Sequence, residues 1–133
     1  MSGWVFEIDG QPVGKGRPRF TRAGRVYTPE RTRIYEAQIA AAARVARLPV
    51  FERGEAVEVE ISAYFARPKR MPRVLIRPSH VVRPDADNIA KAILDGIKAH
   101  LRDEQVASLS VEKLYAAPGE GPSVMVAIRR MAT

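Results

Sequence analysis

Asp85 and Asp87 stand one residue apart in Arg83-Pro84-Asp85-Ala86-Asp87-Asn88. The proline biases the residue before it toward extended backbone. In an extended stretch, residues two apart point to the same side, so both carboxylates can aim at one point. Carboxylate oxygens completed by water and a substrate phosphate form a ligand set for Mg²⁺, with Mn²⁺ the alternative. Asp103, beyond the next helix, is a candidate third carboxylate if the chain returns to the same place. Lys91 follows Asp87 by four residues, the spacing that puts two side chains on one helix face. There it can pair with Asp87 or offer charge to a phosphate whose negative charge grows in the transition state. Each residue also has a plainer role. Asp87 or Asn88 suits a helix cap, Asp103 suits a turn, and Lys91 suits a solvated helix surface.

The charge of the chain is uneven. Its net charge is +7, from 22 basic and 15 acidic residues. Residues 15–33 hold Lys15, Arg17, Arg19, Arg22, Arg25, Arg31 and Arg33 with Glu30 the only acid; residues 67–83 hold Arg67, Lys69, Arg70, Arg73, Arg77 and Arg83 with none. These segments therefore carry +12, which leaves −5 for the rest. Such localisation points to a polyanion such as nucleic acid rather than to general solubility. Arginine outnumbers lysine eleven to two in them, and its planar fork suits phosphate. Candidate backbone contacts are Lys15, Arg17, Arg19, Arg22, Lys69, Arg70, Arg73 and Arg83.

Several classes are excluded. The chain has no cysteine, so it holds no disulfide, Cys-based zinc site or thiol nucleophile. Gly14-Lys15-Gly16 lacks the spacing of a P-loop, and no Ser/His/Asp order or dinucleotide glycine motif is present. MSGWVFEIDG lacks a signal-peptide core, and no apolar run approaches membrane-spanning length. A soluble, cytoplasmic protein acting at the nucleoid, with no membrane partner, is expected.

The elements that must position these residues are legible as periods. Residues 4–8 read as a strand, and the Gly- and Pro-punctuated stretch after it as loop or hairpin. Thr28-Pro29 starts a helix to about Ala46, with Thr28 as the cap. Glu55 to Phe65 alternates as a half-buried strand. Residues 67–84 form a long, four-proline loop. A second helix over about Asn88–Leu101 faces the core with Ile89, Ile93 and Ile97. Strands over about 106–116 and 122–131 are expected to pair as a hairpin through PGEGP. The order β-α-β-α-β-β predicts a single α+β domain over residues 1–133, with two helices packed on a mixed, largely antiparallel sheet.

The string RPDADNIAKAILDGIKAHLRDEQV resembles the RusA family of Holliday-junction resolvases. In that family Pro-Asp-x-Asp-Asn-x-x-Lys starts a helix and Asp-x-Gln-Val follows it, here Pro84–Asn88, Lys91 and Asp103–Val106. GKGRPRFTRAGRVYTPERT is similar to the family's Lys-x-Arg-Pro-Arg stretch and Thr-Pro helix start. The resemblance runs from about residue 6 to the C-terminus. It implies catalytic, metal-binding roles for Asp85, Asp87 and Asp103, and an essential cationic role for Lys91. It implies a homodimer that uses Mg²⁺ to nick two strands of a four-way DNA junction symmetrically. His80 matches a histidine often found upstream of the Pro-Asp motif, a candidate DNA contact. Arg102 stands where many members carry a second acid, and the stretch from Lys91 to Asp103 is shorter than in some.

Two other functions fit parts of this pattern. A non-catalytic basic nucleic-acid-binding module explains the charge but not the acids beside it. A metal nuclease acting on other branched DNA explains both. Candidate dimer surfaces are the wet face of the Glu55–Phe65 strand, the alanine-rich first helix and the edge of the C-terminal strands. If the basic segments bind phosphates, replacing Arg17 and Arg19 with Ala weakens DNA binding and lowers the salt slope by about 2, through counterions no longer released. An unchanged slope in a titration over salt concentration places the binding surface elsewhere.

Overall fold

A computed structural model describes residues 3–16, 19–27 and 29–132, with the side chains of Arg19 and Tyr27 left undescribed. The elements are β1 (Gly3–Asp9), β2 (Arg19–Phe20), β3 (Val26–Tyr27), α1 (Glu30–Val45), β4 (Val57–Phe65), α2 (Ala86–Gly96), β5 (Val106–Tyr115) and β6 (Ser123–Arg130). A short 3-10 turn, Asp103–Gln105, precedes β5. The expected α+β architecture is present: two helices on a four-stranded mixed sheet, with a small β2-β3 ribbon in the segment read as loop or hairpin.

Alternation builds the sheet. In β4, Val57, Val59, Ile61, Ala63 and Phe65 are at most 2% exposed, while Glu60 between them is exposed. Val124, Val126 and Ile128 of β6 pair with Ala63, Ile61 and Val59 and are fully buried on the same side. Phe6 and Ile8 of β1 extend this face. The helices cover it: Tyr35, Ile39 and Ala43 from α1, and Ile89, Ile93 and Ile97 from α2. The other face is polar, where Arg129 sits 2.9 Å from both Glu58 and Glu60.

The strand order is β1-β6-β4-β5, so the expected hairpin between the last two strands is corrected. β4 lies between β5 and β6, parallel to β5 and antiparallel to β6. Residues 116–122 cross two strand spacings, about 10 Å, a distance too great for a tight turn. Burial explains the order. β6 alternates strictly between buried and half-buried positions, as a central strand does, whereas β5 carries Ala107, Ser108 and Ser110 and stays partly exposed, as an edge does.

Helix boundaries shift from those expected. The Thr28 cap lies outside the described residues; the residue before α1 is Pro29. α2 starts two residues early and stops at Gly96 rather than Leu101. A Cβ on Gly96 would sit 2.6 Å from the Ile39 side chain, so glycine permits the α1–α2 crossing. Beyond it, His100 N–H donates to Ile97 O in a tighter turn.

Because α2 connects two parallel strands, it runs antiparallel to both. α1 and α2 therefore begin at the end of the sheet where β1, β4 and β5 finish, here called the upper end. Residues 66–85 also occupy the upper end. Arg67 organises them, donating to the carbonyls of Pro72 (2.8 Å), Ala116 (3.0 Å) and Ile76 (3.2 Å).

His80 is 7% exposed and lies face to face on Phe65, ring centroids 3.6 Å apart. Burial lowers its pKa below the ordinary value, and the Lys113 charge adds to this. Its neutral form is thus favoured by folding, and that stability is complete above the unfolded pKa of about 6.5 and is lost as pH falls below it. Urea unfolding should show the wild type losing stability relative to His80→Phe between about pH 7.5 and 5.5. A constant difference contradicts the assignment.

Candidate active site

Local geometry frees the Asp85 carboxylate. Asp85 is the N-terminal boundary residue of α2, extended at φ −70° and ψ 154°, and makes no side-chain capping hydrogen bond. The helix begins at Ala86, so the extended geometry expected across Asp85–Asp87 holds only as far as Asp85. Asp87 lies in the first turn of α2 and is exposed, as are Asp85 and Asn88. The capping expected of Asp87 or Asn88 is thus not their role. Lys91 sits one turn further on and is also exposed. Among the described residues, none of Asp85, Asp87 or Lys91 forms an ion pair, and Asp95, four residues after Lys91, binds Lys15 instead.

The N-terminal strap packs against this junction. Lys15 N–H donates to Asn88 O (3.0 Å), and Gly16 N–H donates to Thr32 Oγ1 (3.1 Å), tying the strap to the starts of both helices. Lys15 Nζ reaches Glu36 at 2.7 Å and Asp95 at 2.8 Å, with about a fifth of its side chain exposed. Burial lowers its pKa, but hydrogen bonds to Asp95 and Glu36 outweigh this and hold it above the ordinary lysine value. Lys15, expected to contact DNA, is thereby committed to joining α1, α2 and the strap. A cleft of about 940 Å³ opens between the helix starts, lined in part by Gly14, Lys15, Arg31, Arg83, Asp85 and Asn88. Two helix N-termini and two exposed arginines make its rim attractive to anions.

Asp103 is elsewhere. α2 has eleven residues, about 16 Å of helix, with Asp85 before its start and Asp103 beyond its end. Lys113 Nζ donates to Val82 O at 2.6 Å, which ties the segment before Asp85 to the upper part of β5. Asp103 precedes the lower end of that strand. At about 3.3 Å per strand residue the separation from Asp85 is on the order of 20 Å. Gln105 fixes the Asp103 turn at the lower end: its Nε2 donates to Glu52 O (2.8 Å) and Glu55 O (3.2 Å), and its Oε1 accepts from Arg102 N–H (2.8 Å). No three His, Asp or Glu side chains among the described residues are grouped to hold a metal ion. The single chain therefore places Asp85, Asp87 and Lys91 within the first turns of α2, and does not bring Asp103 to that point.

The other expected contacts divide. Arg22, Lys69, Arg70, Arg73 and Arg83 are exposed. Arg17 and the Arg19 side chain lie outside what is described. Two cations of the second basic segment have partners in the chain, Arg67 as above and Arg77, which meets Glu120 at 2.6 Å on the surface. His80 is stacked into the core and presents no surface to DNA in this state. Sequence reasoning missed the roles of Glu36 and Asp95 in holding Lys15. Both acids are remote from Lys15 in sequence, and no local pattern signals the contact.

Fold and site together define a small α+β domain that presents two exposed carboxylates, without ion pairs among the described residues, beside a basic cleft. The family model described as endodeoxyribonuclease RusA matches residues 9–129, and the chain belongs to that family. It is thus a member of a family of DNA-cutting enzymes. A search of curated proteins finds no match to it. Among the described residues, no helix is long and apolar enough to cross a membrane.

The strap depends on close approach. A Cβ on Gly14 would stand 2.8 Å from Pro84 Cβ and 3.3 Å from Asn88 Cβ, and the Pro84 ring cannot swing aside. Gly14→Ala is expected to lower the unfolding free energy by about 1–3 kcal/mol through overpacking. Urea denaturation checks this; unchanged stability means that the strap does not seat on Pro84.

Proposed function

We propose that the protein is a Mg²⁺-dependent, structure-selective endodeoxyribonuclease that resolves four-way DNA junctions by paired nicks, acting in the cytoplasm as a homodimer in recombination and repair. The observation that carries this reading is the exposed Asp85 carboxylate, which neither caps the helix nor forms an ion pair among the described residues, followed by exposed Asp87, at a basic cleft within the region matched to the family. Two free carboxylates suffice for Mg²⁺, which keeps several waters and accepts substrate phosphate as a ligand. Asp85 and Asp87 are the residues that hold it. When bound there, the ion supplies a water nucleophile at neutral pH and offsets phosphate charge.

The chain's own groups do the rest. Arg31 and Arg83 hold the scissile strand at the mouth of the cleft through phosphate contacts. Lys91, exposed one turn after Asp87 along α2, places its ammonium where charge accumulates on the phosphoryl oxygens. Water displaces the 3′ oxygen in line and leaves a 5′ phosphate. Arg22, Lys69, Arg70 and Arg73 contact the flanking backbone and set register without reading sequence. Lys15 keeps the strap and both helix starts in one arrangement, which makes it a positioning residue.

A labelled four-way junction tests this. Wild-type protein should cut it with Mg²⁺ and not in excess EDTA. Asp87→Asn should slow cutting on the order of 100-fold or more while junction binding is kept or tightened, since repulsion of phosphate falls. Wild-type cutting by the folded variant, or cutting in EDTA, defeats the proposal. Binding with no cutting at all leaves a nucleic-acid-binding module.

A further inference from the structure

The connection between β4 and α2 is braced at several points, yet it leaves its apolar residues in solvent. It contains two tight turns: Met71 N–H donates to Pro68 O (3.1 Å) and Leu75 N–H to Pro72 O (3.1 Å). Arg67 fixes both ends of the second turn, through Pro72 O and Ile76 O. Arg77 closes the base of the loop, where its guanidinium meets Glu120 at 2.6 Å and lies 5.2 Å from the centre of the Tyr64 ring. Prolines at 68, 72 and 78 restrict the backbone further. The second turn therefore carries Arg73 and Val74 at its tip, with Leu75 and Ile76 directly after them.

Val74 is 81% exposed, Leu75 45% and Ile76 57%. Single apolar residues on a surface need no partner. Three in succession on a braced loop do, because the fold holds out in water what it would otherwise bury. Their neighbours specify the partner. Lys69, Arg70 and Arg73 stand before the run and Arg77 directly after it, and residues 66–84 contain no acid. Three of these four cations are arginines, which grip phosphate by a planar fork. The occupant is then a polyanion that also offers an apolar surface. DNA offers both, and the faces of its bases are open where stacking is interrupted.

We infer that Val74, Leu75 and Ile76 form an apolar wedge that enters the base stack at the branch point of the DNA, while Lys69, Arg70 and Arg73 hold the phosphates around it. The inference rests on the junction-cutting reading above for the kind of DNA bound. Apolar side chains of this size can stand between base steps. In a continuous duplex the wedge first has to break stacking, at a cost for each step opened. At a branch point a step is already interrupted, so the wedge makes its contacts without that cost. The difference favours branched over linear DNA, and it does not depend on salt as the phosphate contacts do. Ile76 lies nine residues before Asp85, which limits their separation to about 32 Å at full extension. That is less than one turn of duplex, about 34 Å. A branch point at the tip therefore lies within a turn of any phosphate held at the carboxylates, and the wedge decides which phosphates near the branch reach Asp85 and Asp87.

Binding in EDTA separates the wedge from the chemistry. Wild-type protein should bind a four-way junction more tightly than a linear duplex of the same arm sequence. Val74→Ser, Leu75→Ser and Ile76→Ser together should lower that preference at least about tenfold by weakening junction binding. Duplex affinity and its salt slope should stay those of the wild type, since the phosphate contacts remain. Wild-type protein alone gives a second readout: 2-aminopurine placed at the branch point should brighten on binding, and 2-aminopurine in the middle of an arm should not. A wild-type preference that the triple variant keeps, or an equal response at the two 2-aminopurine positions, overturns the wedge and leaves the junction reading standing. Wild-type protein that binds junction and duplex alike defeats the junction reading and the wedge with it. Binding to phosphatidylglycerol vesicles that the triple variant loses, with the junction preference kept, overturns the wedge and assigns the tip to an anionic membrane.

Discussion

The buried face of the sheet is covered in part by the Ile89–Ile93–Ile97 ridge of α2, and each of those isoleucines is fully buried. Burial of each such side chain contributes about 1.5–3 kcal/mol, large against the net stability of a small domain. Other orientations of α2 would give up several of these contacts together. Since α2 links parallel β4 and β5, its direction decides what its flanking residues can do. Whatever precedes it stands at the upper end of the sheet, with the start of α1 and the strap. Whatever follows stands at the lower end. The aspartate pair, the basic cleft and the remote Asp103 are all consequences of that one packing arrangement.

Basic residues serve two purposes in the same segments. Lys15 is consumed by Glu36 and Asp95, and Arg67 by two backbone carbonyls of the loop it anchors and by Ala116 O beyond β5. Arginine's several donors suit it to closing a proline-rich loop that has few backbone bonds of its own. Exposed cations, among them Arg22, Arg31, Lys69, Arg70, Arg73 and Arg83, lie in the β2–β3 ribbon, at the start of α1 and in the upper loop. The field of the charge-rich segments is thus concentrated at the end that carries the carboxylates, while acids of β4 on the open face are matched by Arg129.

Features set by local periods could be read from the sequence. The α2 core face, the β4 alternation and the junction at Pro84-Asp85 all depend on residues within a few positions of each other. Features set by sheet order could not. Nothing near PGEGP says that β6 will cross β4 rather than pair with β5; the stricter alternation in β6 was a signal for it only once compared with Ala107, Ser108 and Ser110. Asp103 follows α2 in sequence, and its place beside the pair depended on the chain returning to the start of that helix. The helix between makes the two ends distant. His80 and Lys15 were read as surface groups because a loop position carries no periodic mark of burial, and their partners Phe65, Glu36 and Asp95 are remote in sequence.

The central claim is that Asp85 and Asp87 form the cation site of a DNA-cutting enzyme. Anomalous diffraction at the manganese edge, from crystals grown in Mn²⁺, tests it most directly. The account predicts an anomalous peak in every chain between the carboxylates of Asp85 and Asp87. Saturating Mn²⁺ that gives no peak there, or a peak only at other acids, contradicts it.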